Sequence, residues 1–390
     1  MISISKLYCD ENFDYNELRY GIGSRQKTGL ERKPIVVWNV TRTCNLNCIH
    51  CYTSSTSKIY SDELTTDEGK ALIDDLAVFG VPSLLFSGGE PLMRKDIFEL
   101  IGYATTKGIR TVISTNGTLI DQSVAKKLKE LNISYVGISL DGIGDNNDKF
   151  RGSAGAFKKT EQAFKYCQEA GLTVGLRLTL TRHNYIALPE IFSFIDDNNI
   201  PRVCFYHLAY SGRGENISDV DLTHEETRKT IDFIMAKSKD YKSKGIKKDI
   251  LTVANHVDGV YLYLKLLKEN PERANKIFDL LKWNGGGRYS EGVGIGCVDF
   301  FGNIHPSQFW MDYSFGNVKD RSFMEIWTDD SDTVHKGLRD RLPLLKGKCS
   351  KCKFIELCGG SLRGRAKSKF DDIWMEDPAC YLTEEEISGS

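Results

Sequence analysis

Thr43-Cys44-Asn45-Leu46-Asn47-Cys48-Ile49-His50-Cys51-Tyr52 puts three thiols on one short loop, just after the apolar run Ile35-Val36-Val37-Trp38. Three thiolates so spaced can hold three corners of a cubane iron–sulfur cluster and leave the fourth iron without a protein ligand. A closed structural or electron-transfer site uses four ligands, so an open corner points to a cluster that binds a substrate or cofactor directly. The alternative is zinc with His50 as fourth ligand, but His50 is adjacent to Cys51 and poorly placed to close a tetrahedron with it. Cys44, Cys48 and Cys51 are therefore read as metal ligands and as the catalytic centre.

Outward from this loop the chain alternates short apolar runs with helix-like stretches, the pattern of βα units around a parallel sheet. The predicted strands are Ile35–Trp38, Ser83–Ser87, Arg110–Thr115, Tyr135–Leu140, Thr173–Thr179 and Val203–Leu208. The first helix is announced by Thr65 with Glu68 three residues on, a capping box, and by Leu72, Leu76 and Phe79 on one face. Six units without a seventh or eighth predict an incomplete barrel, open on one side, with the chemistry on the loops after the strands. From His224 the pattern turns to long charged helices, with the lysine-rich Lys237–Lys248 read as a solvated face and turn. The expected division is a lead segment 1–34, a barrel core 35–222, a helical linker 223–293 and a C-terminal domain 294–390 that opens on a hairpin, Gly296–Phe309.

Composition agrees with an ordinary globular protein. The 52 Lys+Arg and 53 Asp+Glu of this 390-residue chain leave a net charge of −1, no field for gathering nucleic acid. No window resembles a membrane span, and the start Met1-Ile-Ser-Ile-Ser-Lys6 lacks the features of a secretory signal, so neither a membrane nor a nucleic-acid partner is expected and the location is read as cytoplasmic. Eleven cysteines are many for such a compartment, where clustered thiols bind metal more often than they pair. A second group, Cys349, Cys352, Cys358 and Cys380, offers four thiolates, enough to saturate a further cluster, with zinc as the alternative. Cys167 and Cys204 read as buried hydrophobes; Cys9 and Cys297 stay open.

With these residues in view, the chain resembles the radical S-adenosylmethionine (SAM) enzymes over about Ile35 to Gly214. Gly88-Gly89-Glu90-Pro91 stands where that superfamily binds the methionine amino group, and Ser114-Thr-Asn116-Gly117 and Ser139-Leu-Asp141-Gly142 follow the next two strands as in its members. The resemblance implies a partial (βα)6 TIM-like barrel of α/β class, SAM on a three-cysteine [4Fe–4S] cluster, and a 5′-deoxyadenosyl radical. Gly88, Gly89, Glu90, Pro91, Ser114, Asn116, Ser139, Asp141 and Arg177 are the implied cofactor contacts, Arg177 as partner of the methionine carboxylate. The glycines are expected to let the backbone approach the ligand. The second cysteine group resembles the auxiliary-cluster (SPASM/twitch-like) extension of such enzymes. Pro306-Ser307 stands where a fuller extension has Pro-Cys, so one auxiliary [4Fe–4S] cluster is expected.

Lys6-Leu-Tyr-Cys9, Val36-Val-Trp-Asn39, Leu85-Phe-Ser-Gly-Gly-Glu-Pro-Leu-Met-Arg94, Arg202-Val-Cys-Phe-Tyr-His-Leu208, Asp258-Gly-Val-Tyr-Leu-Tyr-Leu264 and Gln308-Phe-Trp310 resemble the tetrapyrrole-modifying branch. That implies an iron tetrapyrrole substrate and haem biosynthesis. The nearest members remove two acetate side chains from 12,18-didecarboxysiroheme; a sister group of the haem d1 route removes propionates, and peptide-modifying maturases share the architecture. An unidentified low-potential electron donor is implied as well. A macrocycle bearing carboxylates needs a flat apolar cavity rimmed by cations. Arg19, Arg151, Arg202, Arg213 and Arg363 are the candidate cations, Tyr206, Tyr261, Phe309 and Trp310 the candidate walls, and His207 or His256 the candidate ligand to the substrate iron.

Overall fold

The apolar runs are short and rich in β-branched residues, so each settles as a strand rather than a helix. The computed structural model describes residues 1–10 and 33–388; Arg19 lies outside the described residues. A short β1 (Ile2–Ser3) is followed by β2 (Ile35–Asn39), α1 (Thr66–Phe79), β3 (Leu84–Ser87), α2 (Ile97–Thr106), β4 (Thr111–Thr115), α3 (Gln122–Glu130) and β5 (Tyr135–Ser139). Then come α4 (Asp145–Arg151), α5 (Ala156–Glu169), β6 (Val174–Leu180), α6 (Leu188–Asp197), β7 (Arg202–His207) and α7 (His224–Ser243). The six predicted strands are β2 to β7, paired in parallel and in sequence order. The capping box of α1 forms as read: Thr65 Oγ1 accepts from Glu68 N at 3.2 Å, and Glu68 Oε2 accepts from Thr65 N at 2.7 Å.

The stretch expected to be wholly helical differs. After α7 the chain makes β8 (Asp249–Val253), which pairs in parallel with β7 and adds a seventh strand to the barrel, before α8 (Val257–Glu269) and α9 (Pro271–Asn284). Five residues between charged helices carry too little periodicity to declare a strand; the free edge of β7 decides it. β1 then pairs antiparallel with β8. On the other side β9 (Ile295–Val298) runs parallel to β2, and β10 (Asn303–His305) and β11 (Gly316–Asn317) continue the sheet antiparallel. The predicted hairpin therefore exists, but its first strand is also a barrel strand. The outward side chains, Trp38, Phe86, Ile113, Val136, Leu178 and Phe205 among them, are buried under the helices and form the main core. Among the described residues, no helix is long and apolar enough to cross a membrane.

Two buried polar systems seat the C-terminal region. Arg365 grips Asp377 with two hydrogen bonds of 2.8 and 2.7 Å, and donates to the carbonyls of Leu208 and Ala254 at the ends of β7 and β8. Glu291 accepts from Arg363 N at 2.6 Å and Ser307 Oγ at 3.0 Å. Further out, His335 is stacked on Phe315, with ring centroids 4.0 Å apart, and its Nε2 donates to Gly292 O at 3.0 Å. Burial disfavours the imidazolium and holds the His335 pKa down to about 4. The folded state thus binds fewer protons than the unfolded between pH 4 and about 6.5, so this contribution is complete above about pH 6.5 and is lost as pH falls toward 4. At about 1.4 kcal/mol per unit it reaches at most about 3 kcal/mol. The drop in Tm between pH 7 and pH 5 should be smaller for His335→Leu than for the unsubstituted chain; equal drops would refute the assignment.

Candidate active site

The cysteine loop leaves the end of β2 and is clamped from two sides. Asn47 N and Ile49 N donate to the carbonyls of Arg151 and Phe150 at the end of α4, each at 3.1 Å. Arg213 donates to Cys48 O and to Ser55 O, both at 2.8 Å. Each thiol meets a donor: Leu46 N is 3.4 Å from Cys44 Sγ, Arg151 Nη1 is 3.7 Å from Cys48 Sγ, and Ser55 N is 3.4 Å from Cys51 Sγ. Burial pushes the Cys44 thiol up to about 12 and raises Cys48 as well. Among the described residues, no three His, Cys, Asp or Glu side chains converge closely enough for a single metal ion. His50 is turned to Asp141, with Nε2 3.4 Å from its carboxylate, and packs on Phe150 with rings 4.5 Å apart. This donor set fits the spread corners of a cluster and not a tetrahedral zinc ion.

Cys44, Cys48 and Cys51 open into a cavity of 170 Å³ also lined by Gly88, Gly89, Ser114, Asn116, Ser139, Asp141 and Arg177. These come from the C-terminal ends of β3 to β6, where successive loops converge. The glycines border the cavity and also make a second close contact. A Cβ on Gly88 would collide with Thr41 O and one on Gly89 with Thr43 O, so both are required by close approach to the strand that launches the cysteines. Glu90 and Pro91 do not line the cavity. Glu90 is fully buried and accepts from Thr115 Oγ1 and Asn116 N at 2.8 Å and from Leu92 N at 3.1 Å, a strut between two loops; burial raises its pKa to about 7. Asp141 is already engaged: Oδ2 pairs with Arg151 Nη2 at 2.5 Å and Oδ1 accepts from Thr179 N at 2.7 Å.

The candidate substrate residues scatter. Arg151 stands beside Cys48 and Asp141, Arg213 braces the cysteine loop, and Arg202 lies at the far end of the barrel, 3.4 Å from Asp249 Oδ2. Arg363 is fully buried with its guanidinium on the carbonyls of Ile373, Met375 and Gly360. His207 borders the cavity, but its Nε2 is held by Asp258 at 2.9 Å, and Asp258 also accepts from Tyr381 at 2.7 Å. His256 borders neither the cavity nor the cleft described next; its ring is buried and burial keeps its pKa well below the ordinary value. Tyr261 sits on the outer side of α8, bonded to Asp232. These seven candidates therefore do not form one rim, because the elements that carry them lie at opposite ends and faces of the barrel.

A cleft of 770 Å³ opens instead between the barrel mouth and the C-terminal region, walled by Tyr52, Tyr210, Phe300, Phe309 and Trp310, with Arg42 and Lys367 at its edges. Phe309 and Trp310 were read from sequence; Tyr52, Arg42 and Lys367 were not. Tyr52 had a signal, since it directly follows Cys51. It touches both cavity and cleft, meets Phe309 edge-on at 5.4 Å, and is fixed by Ser87 Oγ at 2.9 Å and Asn39 Oδ1 at 3.1 Å.

The second cysteine group also assembles. Cys358 is buried, its thiol raised by burial first and then by the closeness of Cys349, Cys380 and Cys352. Cys297 stands apart on β9, where Asn39 Nδ2 approaches its Sγ at 3.5 Å.

A family profile described as "Radical SAM superfamily" matches residues 38–195, and one described as "Iron-sulfur cluster-binding domain" matches residues 291–353. The chain is 52% identical to a "Fe-coproporphyrin III synthase" of Methanosarcina barkeri, over 99% of each chain. It is 39% identical to a "Pre-heme d1 synthase" of Dinoroseobacter shibae, over 90% of this chain and 87% of that one. In fold it is similar to Streptococcus suis SuiB solved bound to S-adenosylmethionine, with a TM-score of 0.68 at 18% identity, covering 90% of this chain and 78% of that one.

Proposed function

This chain belongs to the radical SAM superfamily, and on that premise we propose that it removes the two acetate side chains of 12,18-didecarboxysiroheme to give Fe-coproporphyrin III. The observation that carries the reading is the full-length match to the Fe-coproporphyrin III synthase, which spans barrel and C-terminal region alike. Held at a cluster that Cys44, Cys48 and Cys51 would carry, SAM would supply the radical chemistry.

The chain's own residues bind, orient and exclude water. Cys44, Cys48 and Cys51 hold three irons, and the N–H donors of Leu46, Arg151 and Ser55 at their sulfurs tune the cluster's potential upward. Gly88, Gly89, Ser114, Asn116 and Ser139 border the cofactor's place, with Glu90 and Asp141 locking the loops that carry them. The aromatic cleft beside Tyr52 suits a flat macrocycle and Arg42 suits one of its carboxylates, while Lys367 is paired with Asp371. Cys349, Cys352, Cys358 and Cys380 hold the auxiliary cluster. A low-potential donor delivers electrons, and the enzyme works in the cytoplasm.

The test is anaerobic incubation of reconstituted protein with SAM, a strong reductant and 12,18-didecarboxysiroheme, followed by mass spectrometry of the tetrapyrrole. Loss of two acetate groups is expected. Loss of propionate-derived groups would move the chain to the haem d1 reaction, and an unchanged tetrapyrrole beside 5′-deoxyadenosine would overturn the substrate.

A further inference from the structure

Below the cofactor cavity the barrel interior holds a second space, a chamber of 430 Å³ that shares the wall residues Val37, Leu85, Arg177, Tyr206 and Gln308 with the cavity above and is also lined by Lys6, Arg110, Arg202 and Asp249. Arg177 is the group that needs explaining. Its Cα stands level with Ser139 in the register of β5 and β6. Its guanidinium does not rise toward the cysteines. It descends over Gly137, whose missing Cβ leaves the room for it, and comes to 5.9 Å from the ring of Tyr135. The cation at the cysteine loop is Arg151, already paired with Asp141.

Arg177 forms no hydrogen bond and no ion pair with any described residue, and its Nε is buried without a partner. The Tyr135 hydroxyl is likewise buried and unpartnered, in space that a Cβ on Gly175 would occupy. Arg177 is half-buried with its Nε shut off from water, and a guanidinium held inside a barrel without a counter-ion is a charge that an anion would complete. Two glycines that clear the space, a donor hydroxyl beside it and walls shared with the reaction cavity make this a built site for an anion. The chamber, walled by strands, admits a side arm of a macrocycle and not the ring.

We infer that Arg177 and Tyr135 form a carboxylate site inside the barrel that would clasp the end of a carboxylate arm of the tetrapyrrole. The inference rests on the proposed tetrapyrrole substrate. Arg177 is thus a substrate-positioning residue, one strand level below the cofactor contacts.

Three readings of the reconstituted holoenzyme test it. In ultraviolet-visible titrations with 12,18-didecarboxysiroheme, Arg177→Gln should raise the Kd about tenfold or more, the equivalent of one charge-assisted hydrogen bond, while the Kd for SAM stays unchanged. Titration with Fe-coproporphyrin III, which lacks the acetates, identifies the arm. A penalty confined to the substrate assigns the acetate, an equal penalty on both assigns a propionate, and either supports the site. Arg177→Met should raise the Tm of the SAM- and tetrapyrrole-free holoenzyme by about 2 °C or more, because it removes an uncompensated charge inside the barrel; a purely structural arginine would lower it. A raised Kd for SAM with an unchanged tetrapyrrole Kd would assign Arg177 to the methionine carboxylate and overturn the inference, as would unchanged affinities or a lowered Tm. If the unsubstituted enzyme neither binds nor converts the tetrapyrrole, it is the proposed function that fails.

Discussion

Cys48→Ala is expected to reduce reductive cleavage of SAM to the level of a protein-free control, with the tetrapyrrole untouched. Cys48 lies in the middle of the loop, nine-tenths buried, with Arg151 on its sulfur and Arg213 on its carbonyl. Its loss leaves two ligands for a cluster that needs three, and His50 and Asp141, which also line the cavity, are engaged with each other and with Arg151. The fold should survive, because the loop's backbone bonds to α4 and to Arg213 do not use the sulfur. Measurement of 5′-deoxyadenosine alongside iron content separates the two effects: the auxiliary cluster's iron should remain. Cleavage at the unsubstituted rate would contradict the three-cysteine assignment outright.

The second large effect concerns the seat of the auxiliary cysteines. Asp377→Ala should cost about 3–5 kcal/mol of stability, the usual consequence of removing one partner of a buried ion pair and leaving the other charged. Asp377 and Arg365 are each about 1% exposed in their side chains. Asp377 also accepts from Leu362 N at 3.1 Å and from Ala379 N at 3.0 Å, and so shapes the turn that presents Cys380. Arg365 carries the same network to the ends of β7 and β8. The variant should therefore show a lower Tm and lose auxiliary-cluster iron, while any protein that remains folded still cleaves SAM. An unchanged Tm would show that the pair contributes nothing.

The His207–Asp258–Tyr381 chain reinforces this seat, which explains why His207, attractive in sequence as an iron ligand, is spent elsewhere. It borders the cavity at the end of β7, where Asp258 at the start of α8 holds its Nε2. Arg202 and Arg151 are separated for a related reason. One sits at the start of its strand and the other on the helix after β5, so residues that look interchangeable as cations face opposite ends of the barrel.

Local signals were enough for the barrel. Apolar runs spaced by amphipathic stretches, a capping box and loop motifs at strand ends follow from short-range chemistry, and the structure reproduces β2 to β7 and α1 from them. The cysteine spacing likewise specified an open three-ligand site without any long-range information. What the sequence by itself determined, then, was the order of elements and the kind of metal site. The seventh parallel strand, the pairing of β9 with β2, the cleft beside Tyr52, and the unpaired Arg177 beneath the cofactor cavity were decided only by tertiary structure. Each depends on which free edge or face a residue meets after the sheet has curled, and that geometry is a property of contacts between segments far apart in the chain, which no local pattern encodes.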